Sequence, residues 1–172
     1  MTRKVFFSFH YSEDSWRAST VRNIGVVDGN KPASDNDWET VIGGGDSAIK
    51  KWIDSQLDGR TCTVVLIGNK TANRKWVEYE IKKSWESKKG VVGIYIHNLK
   101  DSSSNQTEKG KNPFAKIKVK TANTSSNTET SLSYIVKDYD PPYSTSTNVY
   151  NHISANLSAW IEEAIKIRNE NI

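Results

Sequence analysis

Three short runs constrain this chain more than any other feature. Lys4 to His10 (K-V-F-F-S-F-H), Thr61 to Gly68 (T-C-T-V-V-L-I-G) and Val91 to His97 (V-V-G-I-Y-I-H) are rich in β-branched and aromatic residues. Each is apolar at consecutive rather than alternate positions, which predicts strands buried on both faces. Only helices packed on both sides of a sheet can bury strands in that way. Helical patterns separate the runs. Tyr11 to Gly25 opens with Ser12 as the expected N-cap and Glu13 and Asp14 in its first turn, and Trp16, Thr20, Val21 and Ile24 mark its inner face. Ser47 to Asp58 carries Ile49, Trp52, Ile53 and Leu57 on one side and is stopped by Gly59. A third pattern opens in the stretch from Lys70, where Thr71 or Asn73 is the expected cap. It runs to about Lys89 with Val77, Ile81, Ser84, Trp85 and Lys88 on one side. Strands alternating with helices predict an α/β fold with a mainly parallel sheet.

Beyond residue 99 the pattern changes. Ala115, Ile117 and Val119 alternate with Lys116, Lys118 and Lys120, as in a half-buried edge strand. Thr121 to Ser131 is a low-complexity Thr/Ser/Asn stretch, and Leu132 to Val136 is the expected returning strand of an edge hairpin. Asp140-Pro141-Pro142 breaks the pattern, and Asn148 to about Arg168 reads as an amphipathic C-terminal helix. Length suits one domain with a proper core, so we expect a single domain over 1–172, with a core at 3–98 and an elaboration at 99–172.

Composition excludes several classes of function. No stretch reaches the roughly 18 apolar residues that span a bilayer, so no membrane role is expected. The N-terminus has neither an apolar signal core nor a cleavage site, which points to the cytoplasm. The single cysteine, Cys62, forms no intramolecular disulfide and sits on a buried strand, so core is the expected role. The net charge of +4 is spread over lysine pairs on solvent faces and carries no nucleic-acid motif. His10, His97 and His152 have no metal-ligand spacing, so no metal is expected. Gly43-Gly44-Gly45 before a helix matches neither phosphate-loop pattern and reads as a hinge.

What remains are aromatics and carboxylates near strand ends. Phe9, His10 and Tyr11 leave the first strand. Trp76 and Glu80 are four apart on the helix after the second strand and are therefore neighbours on one face. Glu78 flanks the same core stripe on its other side, and periodicity does not choose between the two glutamates.

Two motifs add a family resemblance. Val5-Phe6-Phe7-Ser8-Phe9 resembles the first strand of TIR domains, and Arg74-Lys75-Trp76-Val77-Glu78-Tyr79-Glu80-Ile81 resembles the TIR helix that carries W-x-x-x-E. The order of elements agrees over about residues 3 to 98. The chain is similar in particular to the small TIR-like proteins of bacteria, among them the TIR-like component of the Thoeris anti-phage system. The resemblance implies a flavodoxin-like fold and cleavage of NAD at the nicotinamide–ribose bond. It implies Glu80, not Glu78, as the essential residue, Trp76 as a stacking partner, and Phe9, His10 and Tyr11 as pocket lining. NAD is then a substrate, with no cofactor. The implied product is a cyclic ADP-ribose isomer that activates a separate effector protein, under a phage-derived trigger. Self-association is implied too, with the loop from Val26 to Gly45 as a candidate interface. The competing reading is a non-catalytic TIR-like module for protein interaction or nucleotide sensing.

Overall fold

The computed structural model describes residues 2–29, 43–120 and 128–171. The three apolar runs form strands β1 (Arg3–Ser8), β3 (Cys62–Ile67) and β4 (Gly90–Tyr95). Two short strands complete the sheet, β2 (Val27–Gly29) and β7 (Lys137–Tyr139). All neighbours are parallel, in the order β2-β1-β3-β4-β7. In order of appearance that is 2-1-3-4-5, the flavodoxin-like winding. β1 lies between β2 and β3, so the chain reverses its direction of travel across the sheet there. The loops after β1 and β3 diverge at that point and leave a crevice at the carboxyl ends of the strands.

Helices α1 (Tyr11–Arg22) and α4 (Ser146–Glu170) cover one face. Their core joins Val5, Phe7, Val64, Leu66, Val92 and Ile94 of the strands to Val149, Ile153, Leu157 and Ile161 of α4. Helices α2 (Gly45–Leu57) and α3 (Lys75–Glu86) cover the other face. There Phe6 packs with Ile49, Ile53 and Leu57, while Val65 and Ile67 pack with Val77, Ile81 and Trp85. Each fully buried Ile or Leu contributes about 2 kcal/mol of transfer free energy. β3 and β4 are buried at every position, as a run without alternation requires.

Several expectations need correction. Trp16 does not face the core: it is 59% exposed, and the inner face of α1 is instead Asp14, Arg17, Ala18 and Val21. Periodicity misjudged this face because an acid and a base, once paired, can replace an apolar side chain there. Arg17 Nη1 donates to Asp14 Oδ1 at 3.0 Å, and its Nε and Nη2 donate to the carbonyls of Leu99 and Asn105. Ser12 does not cap α1, whose cap position is His10. Neither Thr71 nor Asn73 caps α3. Thr71 Oγ1 accepts from the Gly68 amide and closes the turn after β3, Asn73 takes a positive φ of 69°, and Arg74 holds the cap position. Lys88 lies past the end of α3 and is exposed.

The hairpin is real but placed differently. β5 (Lys118–Lys120) pairs antiparallel with β6 (Glu129–Ser131) in a sheet of its own, not on the edge of the main sheet. Leu132–Tyr134, the expected returning strand, is a single 3₁₀ turn started by Ser131. The edge strands of the main sheet are β2 and β7. The part of the Val26 to Gly45 loop between 30 and 42 lies outside the described residues, as do 121–127.

Candidate active site

The crevice at the β1/β3 reversal holds a cavity of about 390 Å³. That is within the range of small-molecule sites, which favour this position in open α/β sheets. Phe9, His10, Tyr11, Trp76 and Glu80, the five residues expected to form a site, all line it. Its position follows from the sequence. β1 ends at Ser8, so Phe9 to Ser12 leave the sheet at the crevice. α3 starts at Lys75, so its first two turns run along the opposite wall.

Glu80 projects from the second turn of α3 and Glu78 does not reach the cavity. The side chain of Ser8, the last residue of β1, donates a hydrogen bond to Glu80 Oε2. No cation pairs with Glu80 among the described residues. Burial pushes its carboxyl up to about 8, against a smaller downward pull from the Ser8 hydroxyl. A half-buried carboxyl group in the wall of an aromatic cavity, without a cationic partner, suits a ligand that brings its own positive charge.

The aromatic groups are ordered. The Trp76 and Tyr79 rings meet edge to face at 5.9 Å between centroids, and Tyr79 donates to Asp54 on α2 at 2.9 Å. The Lys75 ammonium lies 4.8 Å from the Trp76 ring centroid and also pairs with Asp46, and Trp76 lines the cavity. Trp76 is half-buried rather than exposed. Phe9 and Tyr11 stack at 6.4 Å.

His10 is 8% exposed, and burial, aided by the charge of Arg74, lowers its pKa. Arg74 Nη2 contacts His10 Nε2. A guanidinium can only donate, so Nε2 accepts and the ring is neutral with its proton on Nδ1. That Nδ1–H has no acceptor among the described residues.

Sequence reasoning missed Ser8, Trp52 and Arg74, which also line or serve the cavity. A signal existed for Ser8. It is two residues after Phe6, whose side chain faces α2, so period-two alternation puts it on the face toward α2 and α3. Arg74 carries no such signal, because a cap position belongs to no helix face.

Comparisons with known proteins bear on the family of the chain. Residues 6–101 match the family model described as "Thoeris protein ThsB, TIR-like domain". The chain is 41% identical over 119 residues to a protein of Bacillus cereus (strain MSX-D12) named "Putative cyclic ADP-D-ribose synthase ThsB1". The match covers 66% of this chain and 62% of that relative, so the chain spans less than two thirds of it. No helix among the described residues is long and apolar enough to cross a membrane. With the family model covering more than half of its length, and its sheet wound in flavodoxin-like order, the chain belongs to the Thoeris ThsB family of TIR-like domains.

Proposed function

We propose that this chain cleaves NAD at the nicotinamide–ribose bond. We further propose that it joins the ADP-ribose unit to itself as a cyclic isomer, a messenger for a separate effector protein in anti-phage defence. The observation that carries the reading is the carboxyl group of Glu80, half-buried in the wall of the aromatic cavity at the β1/β3 reversal and without a cationic partner among the described residues. The name of the Bacillus cereus relative supports the same chemistry.

The chemistry asks little of the protein. Nicotinamide leaves as a neutral molecule, so no general acid is needed. Positive charge passes from the pyridinium to the ribose as the bond breaks. A fixed carboxylate facing the anomeric carbon stabilises that charge, and Glu80 is the residue placed for it. Trp76 and Phe9, which line the cavity, are the aromatic rings available to hold the flat pyridinium. One carboxylate serves, where ordinary glycosidases need two. Cyclisation then requires water to be kept from the ribosyl cation and the adenine end to be folded back.

The test is nicotinamide release from NAD, with products followed by mass spectrometry, for wild type and Glu80→Gln. Wild type is expected to yield nicotinamide and a cyclic ADP-ribose mass, and Glu80→Gln to lower the rate by about a thousandfold. Equal rates in the two proteins would sink the reading.

A further inference from the structure

We infer that Arg74 is the phosphate-reading residue of this cavity: it takes the 5′-phosphate of a nicotinamide nucleotide whose ribose lies at Glu80. This rests on the nicotinamide-nucleotide reading of the site. The cavity wall formed by α3 is polar at its two ends. Glu80 stands at one end, and Arg74 with the first turn of α3 stands at the other. The two residues are six apart, which separates them by about 9 Å along the helix axis. A ribose 5-phosphate spans such a gap with its anomeric carbon at the acid and its phosphate at the base.

The charges around the cavity single out Arg74. Lys75 is paired with Asp46 and Lys70 with Glu13. Arg74 makes no ion pair among the described residues, and its contact on the cavity wall is the neutral ring of His10. Arg74 is exposed, so its guanidinium is free to turn to a phosphate, which accepts two parallel hydrogen bonds where the His10 nitrogen accepts one. The surroundings favour an anion as well. Arg74 supplies no side-chain cap to α3, and the amides of the first helical turn are short of acceptors there.

The experiment measures binding by calorimetry in the Glu80→Gln background, where ligands are not turned over. The probes are nicotinamide mononucleotide and nicotinamide riboside, which differ only in the 5′-phosphate, together with intact NAD. With Arg74 present, the mononucleotide is expected to bind about ten- to a hundredfold tighter than the riboside. Arg74→Met should erase that preference and weaken NAD to a similar degree, while riboside affinity stays within about twofold. Arg74→Lys should keep part of the preference, and added salt should weaken the mononucleotide only where a cation remains at position 74. A mononucleotide preference that survives Arg74→Met overturns the inference and leaves the nucleotide reading standing. If none of the three probes binds when Arg74 is present, the nucleotide reading fails, and the inference fails with it.

Discussion

Two carboxyl groups stand at the same end of the sheet, Asp14 on α1, fully buried, and Glu80 on α3, half-buried in the cavity wall, and desolvation raises both above the ordinary carboxyl range. Asp14 is held by Arg17, which is itself 1% exposed and reaches on to the carbonyls of Leu99 and Asn105. The Asp14 carboxyl also presses so closely on Gly68 that a Cβ there would collide with it. Its charge is spent on holding Arg17, which ties α1 to the segment after β4. Glu80 has one hydroxyl and a cavity. The same end of the sheet thus carries one acid that holds structure and one whose charge is left for a ligand. A paired buried acid argues for structure, and one with no cationic partner argues for chemistry.

The comparison is sharpened first by removing each acid. Glu80→Gln is expected to abolish most nicotinamide release while leaving the fold intact, because a neutral amide suits a buried site. Asp14→Ala should do the reverse. It removes the buried acid that pairs with Arg17 and leaves the guanidinium with the Leu99 and Asn105 carbonyls and the more distant Asp101 at 3.8 Å, at a cost of about 3 kcal/mol, and should lower Tm by roughly 10 °C in a thermal melt. If Asp14→Ala melted like wild type, the contrast between the two acids would collapse.

Ser8→Ala gives a smaller and more specific change. The hydroxyl stabilises the ionised form of Glu80, so its loss should move the acidic limb of kcat/KM to higher pH and cost about tenfold in rate at pH 7. A drop in rate with no movement of that limb would show that Ser8 acts on shape alone. In the wild type the limb of kcat/KM should lie near the raised Glu80 value. The limb of kcat should lie lower, since a bound pyridinium favours the carboxylate.

The smallest effect is on stability. The folded protein holds a proton on Glu80 up to about 8, whereas the unfolded chain loses it near 4.5. Between those values the native state binds more protons, so stability falls as pH rises. Glu80→Gln lacks this term, so its Tm advantage over wild type should be absent near pH 4 and grow by a few degrees toward pH 9. A constant difference across that range would place Glu80 in water rather than in the cavity wall.

The sheet was legible in the sequence because strands buried on both faces leave uninterrupted apolar runs, and β1, β3 and β4 follow them closely. Glu80 was legible only through the W-x-x-x-E resemblance, because Glu78 satisfies the helical pattern equally well. Arg17 was not legible, since a charge on an inner face makes sense only beside Asp14, Leu99 and Asn105, three partners brought together by folding. Arg74 was hidden for a related reason: its importance lies in the charge it does not share, and charge balance is a property of neighbours in space. The hairpin was displaced by three residues because Ser131 ends β6 by starting a 3₁₀ turn, and alternation does not register the hydroxyl that does so.

The long C-terminal helix has a consequence for how the protein is made. α4 covers Val64, Leu66, Val92 and Ile94, strand residues synthesised well before it. At Gly90 the approach is so close that a Cβ would strike the backbone of Ala164 and Ile165. Until residues 146–170 have left the ribosome, the nascent sheet shows one apolar face to the cell. Its parallel pairings are among the slower ones to form, and the exposed face is a binding site for chaperones and for other unfinished chains. Folding of this sheet therefore waits until α4 has been made.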